Sequence, residues 1–165
     1  IMEATEKASG RKVDVGIGNF GGIRLDMPEG DILVDDIMSM FPFKNDIVYV
    51  SLKGKDLRSL FDQFAATAWQ PVGGVKIVCE DKVNKSILVG GEPLYDERIY
   101  GVATITFLLN GGDNIFVAKN ALEVINYPIS IYDAISAYIE SEYAAGRAID
   151  ADADGRVTVV RTKNK

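Results

Sequence analysis

Apolar and polar residues follow short, regular patterns along most of the chain. Six segments show the continuous or alternating apolar pattern of β-strands, with turns rich in Gly, Asn and Pro between several of them. The predicted strands are residues 13–17, 47–52, 75–80, 85–89, 98–105 and 156–161.

Two other segments carry the spacing of amphipathic helices. Apolar residues stand at i, i+3, i+4 and i+7 from Leu57 to Phe64, and a similar stripe occupies residues 130–143, with Ser130 as an N-cap and Gly146 as a stop. Helices and strands without repeats or linkers predict one α+β domain with a mixed β-sheet and packed helices. We expect this domain to fill residues 1–165, with its motifs between about residues 13 and 160.

Composition supports an ordinary globular domain. The chain has 165 residues, 47% of them hydrophobic and 25% charged, which is enough for one buried core. The apolar stretches are too short for a membrane span. The single cysteine, Cys79, excludes an internal disulfide and is expected to be a small core residue. Because the sequence starts at Ile1-Met2, we expect further residues ahead of it in the natural protein.

Charge and histidine content exclude several function classes. The formal net charge of -6 and the scatter of basic residues argue against a nucleic-acid partner. The chain contains no histidine, so Ser-His triads, Cys-His pairs and histidine-rich dimetal sites cannot form within it. Chemistry on this chain would need carboxylates, lysine, tyrosine or a metal held by a partner.

A glycine-rich hexamer, residues 16–21, has the formal spacing G-x-G-x-x-G behind a strand, and Asp36 lies about where a ribose-binding acid would be. A dinucleotide loop also needs a helix directly after the glycines. Pro28 and Gly30 interrupt the segment that follows, so we do not favour a dinucleotide-binding function.

An acidic stretch near the C-terminus partly matches a calcium-binding loop. Asp150, Asp152, Asp154 and Gly155 have the spacing of an EF-hand, but Arg161 occupies the position of the bidentate carboxylate. A solvated acidic turn is the favoured interpretation, and calcium binding is the open alternative.

Three loops combine polar, glycine and aromatic residues at strand ends. They are residues 19–24 (NFGGIR), 42–45 (PFKN) and 107–113 (FLLNGGD). We expect them to converge on one small-molecule site. Taken singly, the first could be a tight turn with a surface arginine, Phe43 and Phe107 could be core residues, and Asp113 could cap a turn.

In that order and at those separations, the three motifs resemble the C-terminal, substrate-binding domain of the 5'-nucleotidase family. The resemblance implies that two phenylalanines stack on either side of a nucleobase, which puts Phe43 and Phe107 face to face across a gap one aromatic ring thick. It further implies that Asp113 accepts ribose hydroxyls, Asn19 bonds the base or ribose edge and Arg24 grips the phosphate. The substrate-binding residues implied are Asn19, Gly22, Arg24, Phe43, Phe107 and Asp113.

The same resemblance implies a partner. In that family a separate metallophosphoesterase domain carries two divalent metal ions, and no metal or other cofactor is expected on this chain. We expect that domain ahead of this one in the same polypeptide or on a separate chain, and a periplasmic or extracellular location. This chain alone is expected to bind a nucleoside or nucleoside phosphate without hydrolysing it.

Two features depart from the family pattern, and two other functions stay open. Phe20 and Lys44 stand where relatives often have small residues, so the phosphate loop is expected to have a different shape and Lys44 to place a second cation near the base. The chief alternative is a stand-alone nucleotide-binding or interaction module without catalysis. A self-contained enzyme that uses Asp113 or Lys44 is the weakest alternative.

Overall fold

The computed structural model describes residues 1–149 and 153–162, which form five α-helices and nine β-strands. The helices are α1 (Met2–Ser9), α2 (Val34–Met40), α3 (Gly54–Ala66), α4 (Thr106–Leu109) and α5 (Ile131–Ala144). The strands are β1 (Val15–Ile17), β2 (Asp46–Lys53), β3 (Val72–Gly73), β4 (Val75–Glu80), β5 (Val83–Val89), β6 (Glu92–Pro93), β7 (Ile99–Ile105), β8 (Glu123–Ser130) and β9 (Val157–Val160).

A five-stranded sheet, with the order β3-β1-β7-β2-β8, positions the loops of interest. Strand β1 runs parallel to β7, and β2 runs antiparallel to β7 with Ile47 opposite Ile105. The C-terminal ends of β1 and β7 and the N-terminal end of β2 therefore lie at one edge of the sheet. The buried Thr104 hydroxyl donates to the Ile17 carbonyl over 3.0 Å and holds β7 against β1 near this edge.

A four-stranded sheet, with the order β6-β5-β4-β9, shares the core with the first sheet. Strand β4 is antiparallel to β5 and parallel to β9. One buried cluster joins both sheets to the apolar stripe of α3, where Leu57, Phe61 and Phe64 are at most 1% exposed. Burial of large side chains of this kind is the main stabilising contribution to the fold.

The predicted α+β class and single domain are confirmed, whereas the single mixed sheet is replaced by two mixed sheets. The six predicted strands and two predicted helices are present, with ends that differ by a few residues. Ser130 caps α5 as expected, because its hydroxyl accepts from the Asp133 amide over 3.0 Å. Cys79 is a buried core residue, also as expected. The domain limits 1–165 stay a prediction.

Sequence patterns missed three strands, β3, β6 and β8, and three helices, α1, α2 and α4. Strand β8 contains Pro128, which a strand tolerates at a sheet edge or at a bulge; β8 is the edge strand next to β2, and its register with β2 shifts between Asn126 and Ser130. Helix α2 begins after Leu33, an unusual N-cap, whose amide is satisfied by the Asp36 carboxylate over 2.8 Å. Helix α1 was not predicted either. After β7 the chain forms the helical turn α4, within the segment that the sequence patterns predict as a loop.

None of the described helices is long and apolar enough to cross a lipid bilayer.

Candidate functional site

The three loops singled out in the sequence lie at the same edge of the five-stranded sheet. Residues 19–24 follow β1, residues 42–45 precede β2, and residues 107–113 follow β7. This convergence results from strand order and direction, because two strand C-termini and one strand N-terminus meet there.

The loop after β1 is organised around Asn19. Asn19 is 7% exposed, and its Nδ2 donates to Oδ2 of Asp113 over 3.0 Å, which joins the first loop to the third. Residues Phe20–Gly22 form a 3₁₀ turn beside it. A Cβ at Gly22 would lie 2.8 Å from Oδ1 of Asn19, so the close approach of this side chain requires glycine there.

The loop before β2 presents an aromatic ring to solvent. Phe43 is 48% exposed, and the Arg24 guanidinium carbon lies 5.6 Å from the centre of its ring, within cation–π range. Arg24 also donates from Nη1 to the Gly21 carbonyl over 3.2 Å. The guanidinium is thus held beside the ring by a single neutral carbonyl, and it retains other donors for a ligand.

The loop after β7 presents the second ring. Phe107 is 39% exposed and stands on α4, while a Cβ at Gly112 would lie within 2.5 Å of its ring atoms. Asp113 has the left-handed backbone conformation, with φ 54° and ψ 23°, which Asp tolerates better than most residues. This turn directs the Asp113 carboxylate to Asn19 in the first loop.

These groups line one cavity of about 430 Å³. The alternative that Phe43 and Phe107 are core residues is wrong, because both are partly exposed and border this cavity. All six residues expected to bind substrate lie around it. Its lining consists of Asn19, Gly21, Gly22, Arg24, Phe43, Lys44, Asn45, Phe107 and Asp113.

The cavity combines three kinds of chemistry. Two exposed aromatic rings can stack on a flat ring, the cations of Arg24 and Lys44 can attract an anion, and the Asp113 carboxylate can accept hydrogen bonds from hydroxyl groups. A cavity with aromatic walls and a few oriented polar groups is typical of a small-molecule site.

Asn45 also lines the cavity, and no sequence motif assigned it a role. Its Oδ1 accepts hydrogen bonds from the Phe107 amide over 3.0 Å and from the Thr106 hydroxyl over 3.2 Å. Asn45 and Phe107 are 62 positions apart, so no short motif in the sequence could reveal this contact. The position of Asn45 directly before β2, at the edge where β7 ends, was the only available signal.

The two other sequence hypotheses concern different parts of the chain. Residues 23–33, all described by the structure, contain no helix, so the glycine-rich hexamer lacks the helix that a dinucleotide loop requires. Of the candidate calcium ligands, Asp150 and Asp152 lie outside the described residues. Asp154 forms an ion pair with Arg156 at 2.7 Å. The described residues contain no group of three His, Cys, Asp or Glu side chains that could hold a metal ion.

Comparison with known proteins identifies relatives of the chain. The family model described as 5'-nucleotidase, C-terminal domain, matches residues 1–120. The apyrase of Tabanus yao is 28% identical over 171 residues, which cover 90% of this chain and 30% of the apyrase. Protein UshA of Escherichia coli strain K12 is 26% identical over 132 residues, which cover 77% of this chain and 24% of UshA.

A solved structure has the same fold. The 5'-nucleotidase precursor from Thermus thermophilus superposes with a TM-score of 0.84 at 24% identity, over 96% of this chain and 33% of that protein. This chain therefore spans about a quarter to a third of the length of these relatives.

Proposed function

Because this chain belongs to the 5'-nucleotidase C-terminal domain family, we propose that it is the substrate-recognition domain of a nucleotide-hydrolysing enzyme. In this proposal the cavity of about 430 Å³ holds the base and ribose of a nucleoside phosphate. The phosphate points out of the cavity, toward a catalytic domain that this chain does not contain. The observation that carries the proposal is the presence of Phe43, Phe107, Arg24 and Asp113 around one cavity.

The two phenylalanines provide most of the proposed affinity. A base stacked on an aromatic side chain gains roughly 1–3 kcal/mol, and every nucleobase offers a flat face for such stacking. The partly exposed rings of Phe43 and Phe107 suit this role, because neither is used up in packing the core. Stacking favours a site that accepts several bases.

The polar residues orient the ligand in the proposed complex. Asp113 accepts hydrogen bonds from the ribose hydroxyls, and Asn19, already bonded to Asp113, holds that carboxylate in place and contacts the base or ribose edge. Arg24 binds the phosphate end, where its planar guanidinium matches two phosphate oxygens. Lys44 adds a second cation at the same cavity.

The hydrolytic chemistry belongs to a partner in this proposal. We place the divalent metal pair on a metallophosphoesterase domain, either in the same polypeptide or on a separate chain. The relatives are three to four times as long as this chain, which leaves room for such a domain in each of them. The periplasm or the outside of the cell is the proposed location.

Calorimetric titration of the chain with adenosine, AMP and UMP tests the proposal. We expect all three to bind, with AMP tighter than adenosine because Arg24 and Lys44 attract its phosphate. The chain alone should release no phosphate from AMP. Absence of binding by all three ligands at millimolar concentration would contradict the proposal.

The coding sequence next to this segment separates the hydrolase from a stand-alone binding module. A metallophosphoesterase domain with D-x-H and G-N-H-[DE] motifs, fused or encoded nearby, supports the hydrolase. If adenosine binds but no such domain is encoded, the module without catalysis is the correct function.

A further inference from the structure

The start of helix α4 lacks a cap from its own segment. Amides in the first turn of a helix have no partner within the helix, and Ile105, at the N-cap position, offers no side-chain hydrogen bond. The Oδ1 atom of Asn45 meets this need from another loop. It accepts from the Phe107 amide over 3.0 Å and from the Thr106 hydroxyl over 3.2 Å.

The backbone of Asn45 is fixed on both sides. Its amide donates to the Phe43 carbonyl over 3.0 Å, and its carbonyl accepts from the Ile131 amide over 2.8 Å. The Asp46 amide in turn donates to the Thr106 hydroxyl over 3.1 Å. One residue thereby connects the loop that carries Phe43, the turn that carries Phe107 and the start of α5.

The ring of Phe107 is confined on its other side by Gly112. A Cβ added there would lie 2.4 Å from the nearest ring atom, so the ring rests directly against the glycine backbone. The hydrogen bond from the Phe107 amide to Asn45 fixes the backbone of Phe107, and Gly112 restricts the positions that its ring can occupy.

From these contacts we propose that Asn45 is a positioning residue that sets the separation between the rings of Phe43 and Phe107. It acts through the Phe107 backbone and through its own backbone bond to Phe43, without needing to touch the ligand. The role extends the proposed function, since the spacing of the rings decides whether a nucleobase fits between them. Binding to a preorganised site avoids the cost of ordering the two loops.

Paired substitutions in the full-length protein test the role of Asn45. Asn45→Ala removes the acceptor, whereas Asn45→Asp retains an acceptor oxygen in the same place. Hydrogen exchange is followed by mass spectrometry in a peptide that covers residues 106–110. Adenosine affinity is measured by calorimetry, since adenosine has no phosphate for the new carboxylate to repel.

We expect Asn45→Ala to speed exchange of the Phe107 amide about fivefold and to weaken adenosine binding about tenfold, as fits the loss of one hydrogen bond and of ring order. Asn45→Asp should restore most of both values. Thr106→Val removes the second bond to Oδ1 and also the acceptor of the Asp46 amide. It leaves the Phe107 amide bonded to Asn45, so it should give a smaller rise in exchange at residue 107.

Two more variants separate positioning from general stability. Gly112→Ala should weaken adenosine binding by displacing the ring, without faster exchange at residue 107. Asn120→Ala is the matched control, because Asn120 also bridges two segments, through a 2.7 Å bond to Asp56. It should leave both measurements at the wild-type values.

Three outcomes overturn the inference. The first is unchanged exchange and unchanged affinity in Asn45→Ala. The second is an equal loss of affinity in the Ala and Asp variants with normal exchange, which would make the Asn45 amide a direct ligand contact. The third is normal exchange in Asn45→Ala when the wild-type protein binds no adenosine. If the wild-type protein does not bind adenosine but exchange still rises in Asn45→Ala, the proposed function is wrong. The role of Asn45 in holding the Phe107 backbone is then still supported.

Discussion

Two pairs of phenylalanines in this protein have opposite surroundings. Phe61 and Phe64 on α3 are at most 1% exposed, with ring centres 6.3 Å apart in an edge-to-face arrangement. Phe43 and Phe107 are 48% and 39% exposed and border the cavity at the sheet edge. The first pair is held in place by packing, whereas the second is held by hydrogen bonds in the loops around it.

The core pair contributes to the stability of the fold, whereas the cavity pair is available for ligand recognition. Side chains that pack in the core contribute to the free energy of unfolding in proportion to the apolar area they bury. A large apolar side chain left partly in water contributes less to folding and remains available to a ligand. Substitutions in the two pairs should therefore affect different measurements.

The largest expected effect is on stability, from the core pair. Phe61→Ala should lower the free energy of unfolding by about 3–5 kcal/mol, because the cavity left behind closes only in part. Urea denaturation of the wild type and the variant measures this loss. A loss below about 1 kcal/mol would show that the ring is not packed as described.

The next effect is on binding, from the cavity pair. Phe43→Ala or Phe107→Ala should weaken adenosine binding about 5- to 150-fold, which corresponds to one lost stacking contact. The free energy of unfolding should change by less than about 1 kcal/mol. Calorimetry and urea denaturation of each variant test both parts.

Tyr95 provides the matched control for the cavity pair, since it is 52% exposed and does not line the cavity. Tyr95→Ala should bind adenosine as the wild type does. If Tyr95→Ala and Phe43→Ala weakened adenosine binding equally, the effect of Phe43 could not be assigned to stacking in the cavity.

A smaller effect on affinity is expected at the phosphate end of the ligand. Arg24→Ala should weaken AMP binding about 10-fold, as expected for a hydrogen bond to a charged group, and should change adenosine binding about twofold at most. Arg24→Lys keeps the charge and loses the two-pronged geometry, so an intermediate value is expected. If Arg24→Ala weakens the binding of adenosine and of AMP equally, Arg24 acts by positioning the Phe43 ring and does not bind the phosphate.

The smallest expected effect is the pH dependence of stability that Asp154 causes, and it involves neither pair of phenylalanines. Hydrogen bonds from the Arg156 side chain and amide hold the pKa of the Asp154 carboxyl below its ordinary value of 3.8. Folding thus favours the charged form, and the resulting stabilisation is complete above 3.8 and disappears as the pH falls through the folded-state pKa. The difference in Tm between wild type and Asp154→Asn should be constant from about pH 5 to 7 and shrink at lower pH. A difference that grows on acidification would contradict this.

Local sequence patterns predicted much of the fold, because period and capping are properties of neighbouring residues. The stripe from Leu57 to Phe64 and the cap at Ser130 are clear examples. One miss depends on another segment, because Pro128 is accommodated in an edge strand whose register with β2 shifts around it. The other is local but uses an unusual cap, because the amide of Leu33 is satisfied by the Asp36 carboxylate three residues later.

Sequence patterns predicted the site only in part, for the same reason. Motifs indicated the three loops, and strand direction explains why they meet, but no sequence pattern specified how they are joined. The Asn19 bond to Asp113 and the Asn45 bond to Phe107 connect residues 94 and 62 positions apart. Contacts of this separation depend on the completed sheet.

An NMR experiment that detects proximity between protons tests the central claim most directly, with adenosine bound to a chain labelled at its phenylalanine rings. We expect nuclear Overhauser effects from the base protons to the rings of both Phe43 and Phe107, and none to the rings of Phe61 and Phe64. Contacts of the base to only one of the cavity rings, or to neither, would contradict the proposed stacking site.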